Sequence, residues 1–395
     1  MPMSDRPVGT LARQPRGPVL GWRSFEWTPG EPAPPHVMAL PHRRITSSGR
    51  AALWQALAGL AMPKGTSVLV PTYHCPTLVA PVAALKLVPR YYPIDDKGLP
   101  RIDEIGRFGA GAGAIIVPHF FGRVQSLADV RRWCDEQDVV LIEDCAHALF
   151  GQAGERPVGS WGDLATASLT KFLPVSEGGV LASAVRPLPA LATRHPGLRQ
   201  QLKSFVDLAD RRPSGGPLRA FRRRSMEAVS ASDPTVSTCD ETDGLVQVSK
   251  MMDACDMGRV DQSPALLTSA LVRLLPLAVS VKRRRANFDR FSESLAGLKG
   301  ARPVWVAREP ESVPYVYPLW VDEPEPLYLE MRSAGLAVLR WDRTWPGTPA
   351  VASDSGAAWR RHVLQLLCHQ DLSPVDIDET ASWLRSRCGV GPTAS

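Results

Sequence analysis

The chain has 395 residues, of which 44% are hydrophobic and 22% are charged, and its formal net charge is +6. This length and composition suit a soluble enzyme with a large core and two domains, and they exclude a fibrous or wholly disordered chain. The start Met1–Arg6 leads into a stretch without an apolar h-region, so we expect no secretory signal or early membrane anchor and favour the cytoplasm. Seven cysteines without a CxxC pair argue against a disulfide framework.

The positive charge is concentrated in two clusters that contain no acidic residue. They are Arg211, Arg212, Arg219, Arg222, Arg223 and Arg224, and the run Lys282 to Arg285. Neither cluster has the interleaved aromatic residues of a nucleic-acid platform, so a solvated loop and a helix end are favoured over nucleic-acid binding. An anionic substrate group, such as a diphosphate, is an open alternative for either cluster.

Residues 1–40 are rich in Pro and Gly and are predicted to form an irregular arm, after which short apolar strands alternate with helices. Helices are predicted over Arg50 to Leu60 and Leu78 to Leu87, and a third helix, which Ser126 could cap, is predicted before Val139. Strands are predicted over Ser67 to Val70, Arg90 to Ile94, Ala114 to Val117 and Val139 to Ile142. Two further apolar runs cover Leu164 to Leu169 and Val180 to Ala184. The alternation predicts an α/β fold whose mostly parallel sheet is covered on both faces, with functional residues beyond the carboxyl ends of its strands.

The pattern breaks down over residues 186–245, where Pro, Ser, Gly and Arg predict a flexible excursion. Ala265 to Val281 is strongly apolar, but Arg273 and Pro276 interrupt it and it is short for a membrane span, so we predict one buried helix. The remaining pattern predicts a smaller α+β domain. The predicted organisation is an arm (1–40), a large α/β domain (41–245), and a linking helix with a small C-terminal domain (246–395).

Lys171 and Asp144 carry the main chemical signal. Lys171 follows an apolar strand, and Asp144 ends another apolar strand in the pair Glu143-Asp144. An enzyme that uses pyridoxal phosphate needs a lysine amine to hold the aldehyde as a Schiff base and a carboxylate to keep the pyridine nitrogen protonated. Lys171 and Asp144 could fill these two roles.

Two glycine-containing segments are candidate phosphate sites. Ser47 to Leu53 places small residues at a helix start, where free backbone N–H groups and the helix dipole favour a phosphate, although such a segment can also be a simple cap. The glycines of Gly109 to Gly113 precede a strand instead of following one, which excludes the dinucleotide-binding fingerprint.

Seven short segments, in order between about residues 45 and 385, resemble the DegT/DnrJ/EryC1/StrS family of pyridoxal-phosphate sugar aminotransferases of fold type I. They are Ser48 to Leu53, Val70 to His74, Val117 to Gly122, Ile142 to Ala148, Gly159 to Asp163, Ser168 to Lys171, and Glu177 to Gly179. Leu367 to Leu372 also resembles the closing Leu-Pro-x-His segment of the family, with Cys368 in place of proline. The resemblance implies a fold type I structure, pyridoxal phosphate as the cofactor and amino transfer to a sugar as the reaction.

The resemblance also implies roles for individual residues. Lys171 would be the Schiff-base lysine and general acid/base, and Asp144 the partner of the pyridinium nitrogen. His147, where the family usually has glutamine, would hydrogen-bond the phenolic oxygen of the cofactor. Phosphate contacts are implied for Ser168 and for the backbone of Gly49, Arg50 and Ala51, and the ring-stacking place falls on Tyr73, His74 or Cys75.

Two departures from the family pattern affect these assignments. The step from Ser168 to Lys171 is two residues shorter than the usual Ser-Phe-His-x-x-Lys. The segment Asp243 to Asp261 lacks the usual Gly-x-Asn-x-Arg, which implies that a phosphate contact from the second subunit is missing or replaced. The presence of Lys171 disfavours the dehydratases of this superfamily, in which histidine replaces the lysine.

The resulting hypothesis is a cytoplasmic homodimeric aminotransferase with its active site near the subunit interface. By family analogy the donor is glutamate and the acceptor a ketone on a nucleotide-linked deoxysugar, in polysaccharide or natural-product biosynthesis. The alternatives are another fold type I reaction on an amino acid or a non-sugar ketone, and a non-catalytic binding or regulatory protein. The His/Cys pairs at residues 74–75, 145–147 and 368–369 match no common zinc spacing, so no metal is predicted.

Overall fold

The computed structural model describes residues 14–27, 33–209, 244–352 and 354–389. The arginine cluster Arg211–Arg224, Cys239 and parts of the predicted arm and excursion lie outside the described residues. The described stretch 14–27 of the arm packs on the C-terminal part of the chain, where Gln14 Nε2 donates to Asp376 O and to Thr380 Oγ1. The division of the chain at residues 41 and 246 stays a prediction.

A seven-stranded sheet forms the centre of the large domain. Its strands are β1 (His42–Thr46), β2 (Ser67–Pro71), β3 (Val88–Tyr92), β4 (Ala112–Pro118), β5 (Val140–Cys145), β8 (Leu164–Ser168) and β9 (Gly179–Ser183), and the hairpin β6 (Gln152–Ala153) and β7 (Arg156–Pro157) stands apart from it. The order is β1-β9-β8-β5-β4-β2-β3, with β9 antiparallel to β8 and β1 antiparallel to β9. All other pairs are parallel, which confirms the predicted mostly parallel sheet. Strand β1 was not predicted.

Residues 49–137 form four α-helices, of which the first, second and fourth in chain order were predicted and the third was not. They are α1 (Gly49–Gly59), α2 (Pro76–Ala84), α3 (Ile102–Phe108) and α4 (Ala128–Gln137). The Ser48 side chain caps α1 by accepting a hydrogen bond from the Ala51 N–H at 3.2 Å. Ser126 Oγ accepts from the Ala128 N–H at the start of α4, as predicted. Small and aliphatic residues on one face of α1 pack on β8 and β9, which fixes the amino end of this helix beside the sheet.

Two predictions of the middle region were wrong. Within the excursion 186–245, Leu198–Ala209 forms helix α5, because an apolar stripe with helical spacing outweighs the loop-like composition around it. The predicted single helix over 265–281 is two helices, α7 (Leu266–Leu274) and α8 (Ala278–Ser294), since Pro276 cannot continue the first. Helix α7 is also less buried than predicted, because Leu266 and Leu274 are exposed.

The C-terminal domain is an antiparallel sheet with helices. Its strands β10 (Ala301–Pro303), β11 (Val316–Val321), β12 (Val338–Arg340) and β13 (Val363–Leu367) lie in the order β10-β11-β13-β12. The remaining helices are α6 (Gly244–Ala254), α9 (Pro324–Ser333), α10 (Ser355–His362) and α11 (Pro374–Cys388). In the described part of the chain, no helix has the length and apolarity that a membrane span needs.

Candidate active site

A cavity of about 430 Å³ lies at the carboxyl ends of β4, β5 and β8, next to the amino end of α1. Parallel strands bring their carboxyl ends to one edge of a sheet, so residues far apart in sequence meet there. Of the predicted site residues, seven line this cavity: Gly49, Arg50, Cys75, Asp144, His147, Ser168 and Lys171. Ala51, Tyr73 and His74 are not among its lining residues.

Asp144, near the end of β5, presents a carboxylate to the cavity. Its Oδ1 accepts from the Ala146 N–H at 2.9 Å and from the Thr166 hydroxyl at 3.4 Å. Because both bonds go to Oδ1, Oδ2 is available to a ligand. Burial raises the pKa of Asp144, and the Ala146 N–H and Lys171 oppose that shift. A positively charged N–H donor in the cavity would therefore be a favourable partner for this carboxylate.

Lys171 ends a short turn of 3₁₀ helix, Leu169–Lys171, that directly follows β8. Its Nζ lies 5.2 Å from the centre of the Tyr315 ring. Burial lowers the pKa of Lys171, although the nearby Cys75 and Asp144 raise it in part. The lowered pKa increases the fraction of neutral amine, which is the nucleophilic form.

His147 lies on the turn after β5, with its ring between those of Tyr315 and Trp341, at centroid distances of 4.5 and 4.7 Å. Its Nδ1 accepts from the Phe121 N–H at 3.3 Å. Nε2 is buried and has no hydrogen-bonding partner in the described ranges. Burial and the charge of Lys171 hold the pKa of His147 well below its ordinary value, so the ring is neutral near pH 7.

The amino end of α1 and the end of β8 form one wall of the cavity. A Cβ built on Gly49 would lie 3.1 Å from Ser168 Cβ, and one built on Gly179 would lie 2.2 Å from Ser48 O. Glycine at 179 is therefore required for β9 to begin so close to α1. Ala51 is buried in the core outside the cavity lining, and its N–H donates to Ser48 Oγ. Ser168 lies at this wall despite the shortened spacing to Lys171.

The structure corrects the predicted stacking candidates. Tyr73 is buried in an aromatic cluster with Phe120, Trp341 and Trp359. The His74 ring bonds Pro71 O through Nδ1 and accepts the Trp345 N–H at Nε2, and burial lowers its pKa to about 4. Both side chains point into packed protein because the chain turns inward between β2 and α2. Cys75 alone of the three lines the cavity, and a thiol cannot stack as an aromatic ring does.

Several cavity residues were missed by the sequence analysis. Trp341 and Phe120 provide aromatic surface, and further polar groups come from helix α5 and from the segment after α6. The polar residues are Gln200, Lys203, Ser204, Asp207, Asp256 and Arg259. Arg259 pairs with Glu177 at 2.6 Å, and Arg50 pairs with Asp256 at 2.9 Å. The helical spacing of α5 and the segments 117–122 and 243–261 of the family resemblance were sequence signals for these regions, but they did not identify these side chains as cavity residues.

Glu143, the neighbour of Asp144, has a structural role. Its carboxylate accepts from His119 Nε2 and from the N–H groups of Gly159, Trp161 and Gly162. His119, Glu143 and Cys145 lie close enough together to suggest metal ligands, but the carboxylate oxygens already accept four hydrogen bonds. The cluster therefore holds the 159–162 loop against β5.

Arg284 of helix α8 connects the small domain to the main chain of Lys171. It is fully buried and donates to Lys171 O at 2.6 Å, to Pro314 O at 3.1 Å and to Gln370 Oε1 at 2.8 Å. Its guanidinium also lies over the Phe172 ring, and burial lowers its pKa to about 10. The prediction of a solvated helix end is therefore wrong for Arg284. A buried guanidinium with these partners is also not available to bind an anionic substrate.

Comparison with known proteins agrees with the fold described above. Residues 39–198 match the DegT/DnrJ/EryC1/StrS aminotransferase family, the family that the sequence analysis named by resemblance. DesV from S. venezuelae has the same fold, with a TM-score of 0.62 at 18% identity over 89% of this chain and 85% of DesV.

Two curated relatives are more similar to this chain in sequence than DesV is, but over a shorter part of the chain. GDP-perosamine synthase of Vibrio cholerae is 29% identical over 146 residues, which are 36% of this chain and 40% of that enzyme. L-glutamine:2-deoxy-scyllo-inosose aminotransferase of Streptomyces kanamyceticus is 32% identical over 174 residues, 43% of this chain and 39% of that enzyme. The matches thus span about two fifths of the length of these relatives.

Proposed function

We propose that this chain is a cytoplasmic aminotransferase that uses pyridoxal 5′-phosphate to move an amino group from an amino acid to a keto-sugar. The observation that carries the proposal is the convergence of Lys171 and Asp144, from the ends of two neighbouring strands, on one cavity. When bound, the cofactor supplies an aldehyde for the lysine and a ring that withdraws electrons from the substrate carbon.

The cavity residues fit this cofactor. Among the described residues, Asp144 Oδ2 has no partner and could hold a protonated ring nitrogen, and His147 Nε2 has none and could meet a ring oxygen. The amino end of α1 with Gly49 and Arg50, together with the Ser168 hydroxyl, would hold the phosphate. Trp341 is our candidate for the aromatic surface beside the ring, in place of Tyr73 and His74.

In this mechanism, Lys171 would hold the aldehyde of the cofactor and, as the free amine, would carry a proton at Nζ to and from the substrate carbon. Its lowered pKa favours the neutral amine that this step needs. The walls formed by Trp341, Phe120 and Leu78 would exclude water from the reacting atoms.

We infer that the acceptor is a keto-sugar or a closely related keto-cyclitol. Support comes from the relatives, one named for a GDP-linked sugar and another for scyllo-inosose. We propose glutamate as donor, with glutamine as the second choice because it is named in the relative from Streptomyces kanamyceticus. A nucleotide-linked deoxysugar remains our first choice of acceptor.

The test is to add glutamate or glutamine to the purified protein with bound cofactor and follow its visible absorption. We expect the band to bleach with a donor and to return on addition of a nucleotide-linked keto-deoxysugar. Return with a free keto-cyclitol alone would change the acceptor class and leave the reaction standing. A cofactor band that no amino donor bleaches would contradict the proposal and favour a binding or regulatory protein.

We also propose that the protein is a homodimer with its active site near the interface. Six exposed hydrophobic residues lie on the adjacent helices α5 and α7: Leu198, Leu202, Phe205, Val206, Leu266 and Leu274. The opposite side of α5 lines the cavity, so a partner on this surface would lie next to the site. Burying one such side chain contributes about 2 kcal/mol, which favours covering the patch.

For the dimer, we expect Phe205→Glu to halve the mass measured by light scattering, because it places a charge in the apolar patch. Leu329→Glu is the matched control, since Leu329 is similarly exposed on α9, away from the patch. A monomeric parent protein, or an unchanged mass in Phe205→Glu, would contradict this interface.

A further inference from the structure

The turn after β4 has a strained backbone at a bulky residue. Phe121 is buried and has φ 60° and ψ 4°, in the left-handed region. Residues with a large side chain rarely adopt this conformation, and such strain persists only where the surroundings impose it. The next residue, Gly122, has φ 97°, and a Cβ there would lie 2.4 Å from Tyr315 N. The turn is therefore pressed against the segment before β11.

The left-handed conformation directs both polar groups of Phe121 toward the cavity wall. Phe121 O accepts from the Tyr315 N–H at 3.0 Å, and the Phe121 N–H donates to His147 Nδ1 at 3.3 Å. The Tyr315 ring packs on His147 and lies below Lys171 Nζ. One strained residue thus positions two rings around the reactive lysine.

The contact with Phe121 determines the proton position on His147. A neutral imidazole carries one N–H, and a ring nitrogen that accepts a hydrogen bond cannot carry it. Because Nδ1 accepts, the proton belongs on Nε2, which is buried and unpaired in the described ranges, in a side chain that belongs to the cavity lining. The neighbouring rings Phe121, Tyr315 and Trp341 carry no charge, and Lys171 is the charged neighbour that opposes protonation of the imidazole.

We propose that Phe121 is a positioning residue whose main-chain N–H holds His147 in the Nε2–H tautomer, so that the imidazole donates a hydrogen bond into the cavity. The bound acceptor would be an oxygen with negative character, and its identification with the phenolic oxygen of pyridoxal phosphate rests on the proposed function. The tautomer itself follows from the protein alone.

The test uses the full chain without cofactor, labelled with ¹⁵N-histidine. Two-bond ¹H–¹⁵N correlation spectra distinguish the two neutral tautomers and the cation, and the His147 signals are identified by their absence in His147→Gln. We expect a neutral ring protonated at Nε2 throughout about pH 6 to 8. An Nδ1–H ring or an imidazolium in this range would overturn the proposal.

Two variants distinguish the effect of the Phe121 main-chain conformation from the effect of its ring. Phe121→Gly removes the ring but accepts the left-handed conformation, so His147 should keep the Nε2–H tautomer. Phe121→Val also removes the ring but disfavours that conformation, so a mixture of tautomers is expected. Equal spectra for folded Gly and Val variants would overturn the role of Phe121.

The spectrum of the parent protein decides the tautomer even if Phe121→Val does not fold. A second readout is cofactor affinity, measured by titration of the visible band. Phe121→Gly should bind more tightly than Phe121→Val by about tenfold, the value of one hydrogen bond to a charged group. If the tautomer is as expected but no cofactor binds, the proposed function fails and the positioning role stands.

Discussion

Replacing Lys171 with alanine is expected to lower the rate of amino transfer by at least about 10⁴-fold. The variant loses the covalent attachment of the aldehyde and also the group that moves the proton at the substrate carbon, and general acid/base catalysis alone contributes about 10² to 10⁴-fold. Lys171→Arg should be as inactive, because a guanidinium keeps the charge but does not supply a neutral amine. Single-turnover kinetics with glutamate or glutamine measure the effect.

The control for Lys171 is Lys299→Ala, an exposed lysine of the small domain outside the cavity lining. Its rate should equal that of the parent. If Lys171→Ala kept a rate within tenfold of the parent, another amine would have to perform the reaction and the assignment of Lys171 would be wrong. Thermal unfolding of both variants checks that loss of activity is not loss of structure.

Asp144→Asn is expected to lower kcat/KM by about 10² to 10³-fold, comparable to the removal of one preorganised polar group that stabilises charge in a transition state. The asparagine oxygen can still accept from the Ala146 N–H and the Thr166 hydroxyl, so the side chain should stay in place. What is lost is the negative charge that keeps a ring nitrogen protonated. Asp135→Asn, which removes a charge at an exposed helical site, is the matched control.

The same variant has a second expected effect, on stability without cofactor. The pKa of Asp144 is higher in the folded chain than in the unfolded chain because of burial. The folded state therefore binds more protons between these two pKa values, and stability falls as the pH rises through that interval. Asp144→Asn should not show this fall, and its melting temperature at pH 7 should exceed that of the parent. A lower melting temperature would mean that the carboxylate is structural.

The common location of Lys171 and Asp144 at one cavity was predictable because local patterns determine it, and their chemical roles stay a prediction. Lys171 and Asp144 each follow a short apolar strand, and parallel strands bring such positions to one edge of the sheet. The roles given to Tyr73 and His74 failed because the direction of the chain between β2 and α2 is set by tertiary packing, which periodicity does not report. Cys75, one residue further on, does line the cavity.

Residues contributed by distant segments could not be predicted. Trp341 and Arg259 lie about 170 and 90 residues after Lys171, and no local pattern relates them to it. Arg284 shows the opposite error, since four adjacent basic residues predict solvation, whereas one of them is fully buried. Helix α5 was hidden by the Pro- and Arg-rich composition on either side, although its own spacing is helical.

The hydrogen bond from Arg284 to Lys171 O couples the main chain of Lys171 to the small domain. A rotation of the small domain would pull on the main chain of Lys171 through this buried cation, together with the Gln370 and Pro314 contacts that hold it. We therefore expect substitutions in α8 or near residue 370 to change the position of the Lys171 amine without replacing a residue of the cavity lining. Variants at those residues should change the rate of the reaction and leave the substrate affinity unchanged.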